Sequence, residues 1–135
     1  KLSIVPSDIA EYENWAASHP DGEVLNTGRI GDPYDGNYYG VARQFNPTFD
    51  ESNSPIDPSA YVYGVEINGY YRAYPASDLP VGVTTDTIGG TSVLIEKLSD
   101  GTVLVTTESG ETIPDVEGFW FSWQAAHPET TLWKK

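Results

Sequence analysis

The chain reads as an α+β domain, mostly β: an antiparallel meander sheet with a short helix near each terminus and a long irregular loop. Three observations predict this. Strand-like runs punctuated by Asn68-Gly69, Gly89-Gly90, Asp100-Gly101 and Ser109-Gly110 fill residues 61–110. Helical stripes of apolar residues occur only near the two ends. Between them, residues 26–60 are rich in Gly, Pro, Asn, Asp and Tyr without sustained periodicity, a length of loop that a compact domain keeps for function or for wrapping its core.

The first helix is announced by Asp8 as N-cap with Glu11 three residues on, a capping-box pattern, followed by Tyr12, Trp15 and Ala16 as an apolar stripe. It should run about three turns, to His19. Asn68-Gly69 between two β-favouring runs calls for a two-residue type I′ hairpin, which sets Ile67 opposite Tyr70, Val65 opposite Arg72 and Tyr63 opposite Tyr74. The face carrying Tyr63, Val65, Ile67, Tyr70, Arg72 and Tyr74 is expected to be core, with Arg72 stacked on tyrosine rings or paired to a carboxylate. Further strands are expected over 81–88, 91–98 and 102–107, the last uncharged and either a central strand or an edge open to pairing with another chain. A second helix over 115–127 places Val116, Phe119, Trp120 and Trp123 on one side, where they should cap the sheet; Phe121 falls off that stripe.

Composition narrows the functions. At 135 residues the chain is a single domain, 1–135, large enough for its own core. Twenty acidic residues against seven Lys and Arg give a net charge of -13, which argues against nucleic acid as a partner. No apolar run reaches membrane length, so no membrane insertion is expected. The absence of cysteine excludes disulfides, thiolate metal sites and a Cys nucleophile. A chain that opens on Lys1 without methionine reads as a processed mature protein, extracellular or at the cell surface. Lys1, Lys134 and Lys135 give an acidic body basic ends, which suits docking onto neighbouring copies.

Both histidines sit in copies of one phrase, Trp-x-x-x-His-Pro-acid: Trp15, His19, Pro20, Asp21 and Trp123, His127, Pro128, Glu129. Four-residue spacing puts Trp and His on one helix face, and the proline ends the helix, so each phrase reads as the closing turn of a short helix and as a structural or interface motif. The alternative is an enzyme or metal site using His19 and His127 together. Calcium has two candidate ligand sets in flexible segments: Asp32, Asp35 and Asn37, and Asp50, Glu51 and Asp57 beside Asn53; neither has EF-hand spacing. Tyr34, Tyr38, Tyr39 and Phe45 beside them are of a kind that stacks on carbohydrate. No Gly-x-Ser-x-Gly elbow is present, and Gly89-Gly90 leads into a strand rather than a phosphate-binding helix, so no cofactor is expected apart from Ca2+.

Five segments together carry a family likeness: residues 15–25 (WAASHPDGEVL), 32–40 (DPYDGNYYG), 63–75 (YGVEINGYYRAYP), 86–94 (DTIGGTSVL) and 118–132 (GFWFSWQAAHPETTL). In this order they resemble the bacterial and archaeal domain-of-unknown-function family DUF3179. Larger members usually carry Trp-His-Glu just before the Asp-x-x-Gly-Gly hairpin and Cys-Pro-Leu-Cys just after it. Here those places hold Pro80-Val81-Gly82-Val83 and Ile95-Glu96-Lys97-Leu98, so the resemblance transfers fold and no reaction. The expected function is a non-enzymatic secreted or cell-surface structural protein that self-associates into a filament or other extracellular assembly, with Ca2+ relieving repulsion between acidic copies. The alternatives are a monomeric Ca2+- or carbohydrate-binding module and the two-histidine enzyme or metal site.

Overall fold

The computed structural model describes residues 12–24, 49 and 51–135. Its elements are α1 (Tyr12–Ser18), a 3-10 turn (Glu51–Asn53), β1 (Tyr61–Ile67), β2 (Tyr70–Pro75), β3 (Gly82–Ile88), β4 (Thr91–Lys97), β5 (Val103–Thr107), β6 (Thr112–Ile113), β7 (Asp115–Phe119), α2 (Trp120–Ala126) and β8 (Thr131–Leu132). The α+β, mostly β class stands. Both capping-box residues, Asp8 and Glu11, lie outside the described residues.

The β1–β2 hairpin forms where the dipeptide demands it. Asn68 (φ 52°) and Gly69 (φ 81°) occupy the left-handed region that a type I′ turn needs. The register that follows pairs Ile67 with Tyr70, Val65 with Arg72 and Tyr63 with Tyr74. Gly89 (φ 54°) and Gly90 (φ 84°) make the same kind of turn between β3 and β4. The meander holds for β3-β4-β5-β6, which form one four-stranded sheet, hereafter the meander sheet.

The hairpin belongs to a second sheet, ordered β7-β1-β2-β8, in which β8 runs parallel to β2. The two sheets pack face to face: Tyr63, Val65, Ile67 and Tyr74 meet Ile88, Val93, Ile95, Val103 and Val105. At about 1.5–3 kcal/mol per fully buried aliphatic side chain, this layer is the main source of stability. The other side of the hairpin sheet is buried as well, because α2 lays Trp120 and Trp123 over Val62 and Ala73. The order of layers is therefore helix, hairpin sheet, meander sheet.

One sequence expectation is corrected and one open alternative is resolved. The segment expected to be helical from 115 starts instead as β7, antiparallel to β1, and the helix begins only at Trp120. The spacing of Val116, Phe119, Trp120 and Trp123 is helical by coincidence. Strand β1 is central, and its second edge needs partners for its backbone groups, which Val116 and Gly118 supply opposite Gly64 and Val62. In consequence Val116 is 41% exposed and Phe121 is buried, the reverse of the expected stripe. The segment 102–107 is not an open edge, since β5 lies between β4 and β6.

Candidate functional site

Arg72 lies on the inner face of β2, where a guanidinium needs a counter-charge. Asp86, on the facing side of β3, provides it. Arg72 Nε stands 3.0 Å from Asp86 Oδ2, an ion pair whose angle falls short of a hydrogen bond. Nη2 donates to Asp86 Oδ1 at 3.3 Å and to the Thr87 carbonyl at 3.5 Å, and Nη1 donates to Thr131 Oγ1 at 3.2 Å. Asp86 also accepts the Tyr74 hydroxyl at 2.9 Å and the Thr87 N–H at 2.7 Å. One carboxylate thus ties β2, β3 and, through Arg72, β8. Beside the cluster lies a cleft of about 350 Å³ between the two hairpin tips, where the Tyr70 ring covers Gly89 so closely that a Cβ there has no room.

Burial first, and then the Asp86 charge and hydrogen bond, push the Tyr74 phenol well above its ordinary value near 10, with Arg72 opposing. Tyr63 is raised by burial and then by Glu117 and Asp115, and Tyr61 by burial and then Glu117. A phenol raised on folding contributes stability that is complete below its unfolded value and is lost as pH rises beyond it. Unfolding free energy is therefore expected to hold steady up to about pH 9 and to fall above about pH 10. Tyr74→Phe should flatten that alkaline fall even though it weakens the fold at neutral pH. Urea unfolding at a series of pH values measures both, and an unchanged alkaline slope in the variant would exclude Tyr74 as a source.

The two Trp-x-x-x-His-Pro phrases are the same local device. His19 N–H donates to the Trp15 carbonyl and Gly22 N–H to the His19 carbonyl, each at 2.9 Å; His127 N–H donates to the Trp123 carbonyl and Thr130 N–H to the His127 carbonyl, again at 2.9 Å. Their surroundings differ. Trp123 is buried on Gly64 and its Nε1 donates to Thr130 Oγ1 at 2.8 Å, while His127 stacks on Tyr71 at 4.2 Å. In the first copy no residue of α1 is buried, Trp15 stacks on His19 at 5.2 Å and on Gly22, and His19 Nδ1 donates to the Trp15 carbonyl at 3.0 Å. Pro20 and Pro128 are exposed just beyond each turn. Among the described residues no hydrogen bond or ring contact joins His19 to His127, and no three His, Cys, Asp or Glu side chains converge on a common point.

Of the calcium candidates, Asp32, Asp35, Asn37 and Asp50 lie outside the described residues, as do Tyr34, Tyr38, Tyr39 and Phe45. Glu51 opens the 3-10 turn. Asp57 Oδ1 accepts the Ser59 N–H at 2.8 Å and the Ser59 hydroxyl at 2.6 Å, contacts that hold its carboxyl below the ordinary range; it closes its own turn. No described helix is long and apolar enough to cross a membrane.

The outer face of the meander sheet is a different kind of surface. Strand alternation and register put Val83, Thr85 and Thr87 of β3 there, with Ser92, Leu94 and Glu96 of β4, Leu104 and Thr106 of β5, and Thr112 of β6. Val83 is 60% and Leu104 43% exposed. Among the described residues the charges on this side are few: Glu96 on the face itself and Glu108 at its margin, where it shares a shallow pocket with Thr85, Thr87, Ser92 and Leu94, in a chain whose net charge is -13. Sequence reading missed both this face and Asp86. The alternation of β3 is blurred by threonines on both sides, and Asp86 becomes visible only once Arg72 is known to point at the opposite sheet.

Geometry thus defines a two-sheet β domain capped by one helix, with its polar cluster spent on joining the layers. The chain belongs to the family described as protein of unknown function (DUF3179), which matches residues 1–112. Four of the five likeness segments lie within those residues, and the segment 118–132 lies beyond them. Comparison with curated proteins and with solved structures returns no match. The segments 80–83 and 95–98 on either side of the Gly89-Gly90 hairpin are cross-strand neighbours, since Gly82 pairs with Lys97 and Val83 with Glu96. Here Lys97 Nζ closes that end by donating to the carbonyls of Ala76, at 2.7 Å, and Leu79, at 3.1 Å.

Proposed function

We propose that this protein is a non-enzymatic structural module of an extracellular assembly, and that it self-associates through its meander sheet. One observation carries the reading: among the described residues of a strongly acidic chain, few ionised side chains stand on the outer face of that sheet, Glu96 and, at its margin, Glu108. Copies of so acidic a chain repel one another, and a threonine- and aliphatic-rich sheet face is where they can approach. The chemistry-bearing side chains support the same reading. Asp86 is engaged by Arg72, Tyr74 and Thr87, and His127 is stacked on Tyr71 at a helix end.

Association through a sparsely charged face, opposed by charge elsewhere, strengthens as salt screens the repulsion. Raising ionic strength from about 0.01 M to about 0.5 M shortens the Debye length from about 30 Å to under 8 Å. Sedimentation velocity is expected to show species heavier than 14.8 kDa that grow with protein concentration and with salt. A particle of 14.8 kDa at every concentration and every salt overturns the proposal.

A further inference from the structure

We propose, resting on the self-association above, that two copies of this chain pair antiparallel along the edge of β3 that no described strand occupies, with Thr84 of each copy on the two-fold axis. The two-residue Gly89-Gly90 turn makes Ile88 and Thr91 a hydrogen-bonded pair, so Asp86–Val93, Thr84–Ile95 and Gly82–Lys97 are hydrogen-bonded pairs too. The backbone groups of Val83, Thr85 and Thr87 therefore point away from β4. Those of Thr87 are already taken, its N–H by Asp86 Oδ1 and its carbonyl by Arg72 Nη2. Left over are the N–H and carbonyl groups of Val83 and Thr85, which have no partner among the described residues.

Two residues of equal parity, two positions apart, form a self-complementary unit. Val83 opposite Thr85 of the second copy, and Thr85 opposite Val83, make four main-chain hydrogen bonds and join two meander sheets into one. The register is selected by its neighbours. It sets Gly82 opposite Asp86 of the second copy, and Gly82 has open space where a side chain would stand, so each Arg72–Asp86 pair is accommodated. Sliding to put Thr85 opposite Thr85 would set Val83 against Thr87, whose groups are engaged. Charge makes a second copy the fitting occupant: β3 carries one ionised side chain, Asp86, turned inward and ion-paired, so like-charged chains meet on a neutral strip. Strands β6 and β8 have two residues each, and the outward groups of β7 include those of Asp115 and Glu117.

The chain has no cysteine, so Thr84→Cys gives one thiol per molecule, at a position where a non-hydrogen-bonded antiparallel pair brings Cα atoms to about 4.5 Å, within disulfide reach. Mild oxidation is expected to convert most of that variant to a covalent dimer on a non-reducing gel. Thr112→Cys, on β6 at the far side of the same sheet, should cross-link at least about tenfold more slowly. Val83→Pro removes one edge donor per copy without touching the bonds to β4 and should weaken dimerisation about thirtyfold by sedimentation, with an unchanged far-UV spectrum. Heavy species in solution with no Thr84→Cys cross-link, or equal cross-linking at both positions, overturn the β3 pairing while leaving self-association standing. A strictly monomeric chain overturns both.

Discussion

Gly64→Val is expected to cost about 3–5 kcal/mol of unfolding free energy, the range for losing a large aromatic from a core. A Cβ at Gly64 falls inside the van der Waals surface of the Trp123 ring, against three of its six-membered-ring carbons. Neither partner can yield cheaply. Gly64 lies in central β1 between Val62 and Val65, both fully buried, and Trp123 is held by its hydrogen bond to Thr130 and by its packing on Val62 and Ala73. The indole must leave, and α2 loses its anchor. Gly118→Val, in the neighbouring strand, is the matched control, because a Cβ there meets nothing within 4 Å; its effect should stay within about 1 kcal/mol. Urea denaturation of the pair decides the matter, and equal midpoints would mean that Trp123 is not packed on Gly64.

Asp86→Ala is expected to cost about 3 kcal/mol. Breaking a buried ion pair from one side typically costs 3–5 kcal/mol, and the Arg72 side chain, 24% exposed, sets this case at the low end. Fully buried Tyr74 loses its acceptor, and the Thr87 N–H loses its bond as well. Asp86→Asn keeps the shape and one acceptor oxygen and should fall between. Chemical denaturation of the three proteins gives the ranking, and a loss below about 1 kcal/mol in Asp86→Ala, the value of an exposed pair, would demote the cluster to surface decoration.

The parts of this fold that were legible in sequence are those with a local cause. Asn68-Gly69 demands positive φ, so the hairpin and its whole register followed from two residues. The Trp-x-x-x-His-Pro spacing gave the helix-closing turn, with the same main-chain hydrogen bonds in both copies. Which copy would be buried was not legible, because the main-chain bonds are identical and the packing partners of the buried copy, Gly64 and Tyr71, lie far along the chain. Arg72 announced a need for a carboxylate without naming Asp86, since fourteen residues and a change of sheet separate them. Segment 115–119 was misread because its helical spacing is genuine, and only the requirement of β1 for a second neighbour overrides it.

The chain crosses from one sheet to the other at Pro114, between β6 and β7. The meander sheet is thus an insertion, threaded between the inner and outer strands of its companion. The family match ends at residue 112, just short of that crossing. An excised segment 1–112 would contain nearly all of the inserted sheet but only the middle pair of the other. Both flanks of the β1–β2 hairpin would lie open, and Val62, Gly64 and Ala73 would lose their helical roof. The stretch that the family match covers is therefore shorter than the stretch whose strands pair with one another, and the last 23 residues, 113–135, complete an architecture begun at Tyr61.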